Sequence, residues 1–306
     1  MKKLLVCLTA ACLLFTSCIP VPDPENKTPA SNTETNNQTT GQQGENGDEE
    51  SEAEKSEFKI EGVDEYSLWE KSEDGKTITL IKGEGAAEDY VPEYTLSGDF
   101  TGQIISTIKG TVLKLNGVKL TNKDAPVISA PLKIEIKTLK DTENTITTTG
   151  TKDKNNKTGA ITGEKKVEIG GSGTLIVAGN IRHGIKGKEI ELKGSGIITV
   201  SATDVGSAIN CNTFTVKALN SDGVPHSFTA NLKDSSNGVK ADKNIDISSG
   251  TFNLTNLETG FKTDKFKDDG ENHYINIEGA TVEHSTITDT KFILTDTDPV
   301  TPPVES

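Results

Sequence analysis

Apolar and polar residues alternate with a period of two through most of the chain, as in strands with one buried face. The stretch Val167-Glu168-Ile169-Gly170-Gly171-Ser172-Gly173-Thr174-Leu175-Ile176-Val177 recurs 23 residues later as Ile190-Glu191-Leu192-Lys193-Gly194-Ser195-Gly196-Ile197-Ile198-Thr199-Val200. A third copy, one residue shorter, runs from Ile245 to Leu254. In that copy Ile245, Ile247, Phe252 and Leu254 are expected to point inward, and Asp246, Thr251 and Asn253 outward. The glycines and serines between the half-strands allow a sharp corner.

A second element precedes each copy: Gly184-Ile185-Lys186, Gly238-Val239-Lys240 and Gly260-Phe261-Lys262, with looser versions at Ala160-Ile161-Thr162 and Ala208-Ile209-Asn210. Their apolar members stand at 161, 185, 209, 239 and 261, at intervals of 24, 24, 30 and 22. The long interval holds Asn220 to Ser236, with a Ser221-Asp222-Gly223 turn, and reads as a loop thrown out of one coil. Weaker copies at Val112–Leu120, Leu132–Ile136 and Tyr274–Val282 extend the repeat over residues 78–295. No amphipathic helical pattern falls in that span, and the leucine–asparagine framework of a leucine-rich horseshoe is missing. A period in the low twenties is too short for a domain and suits one coil of a solenoid. The expected fold is all-β, a right-handed parallel β-helix solenoid over residues 58–295, preceded by a disordered tether.

The start of the chain changes the picture of its surroundings. Lys2 and Lys3 precede the apolar run Leu4–Phe15 and then Thr16-Ser17-Cys18. A basic start, a short apolar run and small residues describe a secretory signal over residues 1–17. The run is too short to span a membrane as a helix. A cysteine directly after the small residues resembles the lipobox of bacterial lipoproteins, although Phe15 stands where leucine is usual. That resemblance implies lipidation at Cys18, a membrane partner held through the N-terminal lipid, and a place on the outer membrane or cell surface. Residues 18–57 and 296–306 are polar and nearly devoid of apolar side chains, a composition expected to stay disordered.

Cys7 and Cys12 would leave with the signal, so Cys211 remains as the single thiol and reads as a small buried side chain. The formal charge of −14 and a single arginine, Arg182, argue against nucleic acid as a partner.

The block from Gly238 to Phe252 (Gly-Val-Lys-Ala-Asp-Lys-Asn-Ile-Asp-Ile-Ser-Ser-Gly-Thr-Phe), the Gly-Ser-Gly-Thr-Leu of residues 171–175 and the lipoprotein leader together resemble one family. It is the carbohydrate-binding, polysaccharide-lyase-like β-helix family of polysaccharide-using bacteria. The resemblance implies binding of plant-type polysaccharides, cellulose and acidic pectic chains among them, calcium sites, and no established catalytic activity. The family's Asp-Asp-Gly-Ile turn is altered here to Thr203-Asp204-Val205-Gly206, Ser236-Asn237-Gly238-Val239 and Glu258-Thr259-Gly260-Phe261. Only Asp204 and Glu258 keep a carboxylate at these turns.

Three constellations could carry chemistry. Lys186, Asn210, Lys240 and Lys262 hold the same place in their repeats, with Asp242 and Asp264 two positions after Lys240 and Lys262. Stacked about 4.8 Å apart, they would form a strip on which an acidic or hydroxyl-rich polymer could lie. The competing reading is a solvated face whose opposite charges relieve one another. Asp264, Asp268, Asp269 and Glu271 surround Gly270, offering the carboxylates calcium takes, though without EF-hand spacing. The same loop also reads as plain acidic surface. Trp69, with Tyr66, Tyr90 and Tyr94, sits at the start of the fold, where a cap over the first coil is expected in preference to sugar stacking.

His183, His226, His273 and His284 lack metal-ligand spacing and read as surface or loop residues. The leading expectation is a surface-anchored lipoprotein that binds polysaccharide without cleaving it. A structural or adhesive surface protein and a calcium-dependent polyuronate lyase are the alternatives.

Overall fold

The alternation of apolar and polar side chains appears directly as alternating burial. The strand Thr174–Gly179 alternates half-exposed and buried residues, as does Glu143–Thr148 after its exposed first residue. The computed structural model describes residues 56–263 and 273–285, and the backbone of 293–295. Among the described residues every regular element is a strand.

Successive passes of the chain lie parallel and in register. Ile104, Ile128, Ile161, Ile185, Ile209, Val239 and Phe261 are partners from strand to strand. All seven are fully buried. Full burial of one such side chain contributes roughly 1.5–3 kcal/mol, so this column is a main source of cohesion between passes. Ile245, Ile247, Phe252 and Leu254 also face inward, while Asp246, Thr251 and Asn253 are half-exposed.

The expectation of a right-handed parallel β-helix solenoid is corrected. Among the described residues the strands hydrogen-bond into one sheet, and it closes into a nine-stranded parallel barrel. The reason lies in the long strands. Thr229–Ile247 has 19 residues and Thr251–Thr263 has 13, and both run through positions where corners were expected. Asp234 and Asn256 take φ values of 51° and 53°, a left-handed conformation that Asp and Asn tolerate better than most residues. They bend the strand while the ladder continues on either side, from Lys233↔Thr255 to Ser235↔Leu257. The Asn256 amide donates to Asp234 Oδ1 at 2.9 Å and ties the two bends together.

The loop read at Asn220–Ser236 is also shorter than expected. The turn closes through the Leu219↔Pro225 bridge, and from Thr229 the chain is strand again. Ala230 and Leu232 are buried there, so the period of two resumes inside the stretch assigned to the loop.

Four phenylalanines fill the interior near the C-terminal passes. The Phe252 ring meets Phe214, Phe228 and Phe261 edge-on, with centroids 6.2, 5.8 and 5.9 Å away. Gly250, at φ 85°, lies over Phe228. A Cβ there would come within 2.8 Å of the ring, so no larger residue fits without a shift.

At the N-terminal end two strands run antiparallel to the rest. Lys59–Gly62 pairs with Glu93–Thr101, and Ser67–Lys71 pairs with Thr77–Lys82. Of the aromatics expected to cap this end, Tyr94 is fully buried. Its hydroxyl lies 2.8 Å from the Leu68 carbonyl and 3.0 Å from that of Ile81. Tyr66 and Tyr90 pack edge to face at 5.7 Å. Trp69 does not cap: it stays 41% exposed.

Candidate functional site

The basic column is assembled by strand register. Lys186 pairs with Asn210, Asn210 with Lys240, and Lys240 with Lys262. Each of these side chains, and Asp242 beside them, is half-buried. Each follows a buried apolar residue by one position, so the pleat turns it outward.

Two further cations, Arg182 and Lys157, bring charge close to Lys186 from outside the repeat. Arg182 donates through Nη1 to the Asn156 carbonyl at 2.7 Å, and Lys186 donates through Nζ to the Lys157 carbonyl. Burial lowers the Lys186 ammonium below its usual range, Arg182 and Lys157 push the same way, and Asp242 opposes them. The patch thus concentrates positive charge on an acidic protein, and an incoming anion would relieve it.

His183 lies beneath this patch and is not the surface residue its sequence suggests. It is 5% exposed and accepts the Ser207 N–H through Nδ1 at 3.0 Å. Burial first, then Arg182 and Lys186, depress its pKa to about 3. Such a histidine is neutral when folded and protonated when unfolded below about 6.5. Stability from this group is therefore present above pH 6.5 and falls by about 1.4 kcal/mol per pH unit below it, until about pH 3. Urea midpoints taken across that range should show the slope, and His183→Gln should flatten it. An unchanged slope would place the acid sensitivity elsewhere. His226 is buried in the same manner, accepting the Gly194 N–H at 3.0 Å.

A second charged array went unread in the sequence. Glu135, Glu168 and Glu191 are register partners on neighbouring strands. Lysines from flanking positions close over them. Glu168 meets Lys133 and Lys193 at 2.7 Å and Lys166 at 2.9 Å. Lys193 also reaches Glu135 at 2.7 Å, and Lys166 reaches Glu191 at 2.5 Å. Burial opposes ionisation of Glu168, but hydrogen bonds from Lys133, Lys193 and Lys166 outweigh it and hold the carboxyl at about 2. A glycosidase acid needs a raised pKa, so Glu168 is a structural anion. The signal was present as an apolar-Glu-apolar triplet in three copies: Ile134-Glu135-Ile136, Val167-Glu168-Ile169 and Ile190-Glu191-Leu192.

A third set of outward positions is uncharged at its centre. Asn253 donates to Asn231 Oδ1 at 2.8 Å, and Asn231 to the Thr199 hydroxyl at 3.2 Å, forming a short amide ladder between passes.

Asp204 and Glu258, the carboxylates kept at the altered turns, line one cavity of about 320 Å³ with Asp234 and Asn256. Lys152 meets Asp204 at 2.7 Å, and the Ser236 hydroxyl donates to Glu258 at 3.1 Å. Among the described residues no group of three or more His, Cys, Asp or Glu side chains has metal-binding geometry. Asp264, Asp268, Asp269 and Glu271, expected as calcium ligands, and Cys18, expected to be lipidated, lie outside the described residues. Cys211 is buried, and burial pushes its thiol pKa far up.

Comparison with known proteins bears out the family resemblance read from the repeats. A family model described as carbohydrate-binding domain-containing protein matches residues 74–224. The fold is similar to a solved polysaccharide lyase-like protein from C. thermocellum, in a gadolinium derivative, with a TM-score of 0.52 and 18% identity. That likeness covers 74% of this chain and 92% of the other, and at this identity it speaks for the fold alone. No curated protein matches the chain.

Proposed function

We propose, from the premise that residues 74–224 match the carbohydrate-binding family, that this chain binds polysaccharide without cleaving it. The ligand is an acidic, pectin-like chain laid along the basic column. One observation carries the choice of an acidic polymer. Lys186, Lys240 and Lys262 stand on consecutive or next-consecutive passes, reinforced by Arg182 and Lys157 and opposed by Asp242. Spaced about 4.8 Å per pass, ammonium groups meet a linear polyuronate at intervals comparable to one sugar residue. Asn210 supplies an amide to hydroxyls within the same row. Neutral cellulose would gain nothing from such a concentration of charge.

We read the N-terminal leader as a lipoprotein signal and Cys18 as the anchor. Tethered copies on a cell surface would then bind a long polymer together, and avidity would make up for weak individual contacts. Calcium held by the acidic loop at Asp264–Glu271 belongs to the same proposal.

The test is retention of the full chain on insoluble pectin and on cellulose, at low and high salt, with and without chelator. Retention on pectin that fades with salt is expected. Each exposed ion contact is worth roughly 0.2–1 kcal/mol. Lys240→Ala with Lys262→Ala should therefore weaken binding by about two- to thirtyfold. Unchanged binding by that double variant would remove the column from the reading. Loss of retention on addition of chelator supports the calcium site; indifference to chelator removes it. Appearance of unsaturated product from polygalacturonate would replace binding with lyase activity.

A further inference from the structure

Trp69 is the single tryptophan of the chain, and it stands 41% exposed beside the core. It lies on Ser67–Lys71, directly opposite Leu80, with Lys71 opposite Ile78. Directly opposed residues of an antiparallel pair share a face. Leu80 and Ile78 are buried inward, so Trp69 and Lys71 point to the same side, at the open end of the core. Ile60, opposite Leu96, arrives there from the other antiparallel strand.

The space between these two strands is a cavity of about 310 Å³. Phe58, Ile60 and Ile78 form its apolar floor, and Trp69 stands at its wall. Lys59, Glu61 and Lys71 complete the lining. Phe58 packs on Phe100 at 5.0 Å, and the Lys71 ammonium is held 5.8 Å from the Phe100 centroid, within cation–π reach. The volume is at the low end for small-ligand pockets, about 300–1,000 Å³. It suits a sugar ring, not a length of polymer.

The geometry points to a subsite for one acidic pyranose ring, stacked on Trp69 and held by its carboxylate against Lys71. A sugar ring has an apolar C–H face and a polar edge. This site has an open indole face and an apolar floor for the first, and a charged group for the second. Lys59 and Glu61 flank Ile60 and alternate to the other face, so Lys71 is the charged group on the Trp69 side and favours a uronate over a neutral hexose. Capping leaves the exposed indole unexplained, because Tyr94 already closes the core end. The inference takes its ligand class from the polysaccharide reading, but the site lies apart in sequence from the basic column and largely ahead of residues 74–224.

Tryptophan fluorescence reports on this site alone. The full chain is titrated with galacturonic acid, its dimer and glucose while emission is recorded. A saturable change with the uronates and a weaker response to glucose are expected. Lys71→Gln, an exposed change that should leave the melting temperature unaltered, should raise the half-saturation concentration roughly three- to tenfold. Unchanged emission from a protein still retained on pectin overturns this subsite and leaves the polymer reading standing. A saturable change from a protein that pectin does not retain keeps the subsite and removes the basic column. Emission that follows protein concentration instead of sugar assigns the cavity to a second copy of the chain and overturns the proposal.

Discussion

Replacing Glu168 with alanine should lower the free energy of unfolding at neutral pH by about 3–5 kcal/mol, the range for breaking a buried ion pair from one side. The Glu168 carboxylate touches Lys133, Lys166 and Lys193 while only 5% of the residue is exposed. Without it, Lys166 and Lys193, which burial disfavours and their glutamates hold above the ordinary lysine range, face each other with less compensation. The pH dependence follows from the depressed carboxyl. Its folded pKa is about 2 against an ordinary 4.5, so its contribution is present above about 4.5 and is lost as pH falls towards 2. The difference corresponds to about 3 kcal/mol, in line with the mutational range. Denaturant midpoints of wild type and Glu168→Ala should thus differ widely at pH 7 and converge in acid. Equal midpoints at pH 7 would mean the lattice adds nothing to stability.

Phe252→Ala should cost about 3–5 kcal/mol. Phe252 is fully buried, and its ring is the one that meets all three of Phe214, Phe228 and Phe261. Truncation removes apolar burial and also the edge-on contacts, each worth about 0.5–1.5 kcal/mol. Phe252→Leu keeps most of the volume and should cost less than half as much. Thermal melting compares the two, and equal losses would show that ring geometry and cavity size do not matter at this position. The variant also bears on binding, because Phe261 immediately precedes Lys262. A cavity beside Phe261 loosens the last described lysine of the basic column. Phe252→Ala should therefore weaken pectin retention somewhat without touching a ligand.

The sequence was informative where identical positions recur. Ile161, Ile185, Ile209, Val239 and Phe261 recur at the same place in each repeat, and the strands align them in space. Lys186, Asn210, Lys240 and Lys262 came with them, since each is the next residue. The glutamate lattice carries a comparable signal but was missed. Its glutamates recur at 33 and then 23 residues, and their lysines come from either side of each strand. Only the register across neighbouring passes reveals that Lys193 bridges Glu135 and Glu168.

Trp69 was misjudged for a different reason. Sequence places it among aromatics at one end of the fold, but not which of them the core accepts. Tyr94 took that place because its hydroxyl could reach two carbonyls while its ring stayed buried.

Inside and outside, strand throughout, and which repeats become neighbours were properties of the chain itself, because alternation and spacing are local and each residue carries them. Closure of the sheet, the three lysines around Glu168, the depth of His183 and the open face of Trp69 were decided only on folding. Each depends on how far the chain bends between passes and on which distant groups then compete for the same space, and neither is written at any one position.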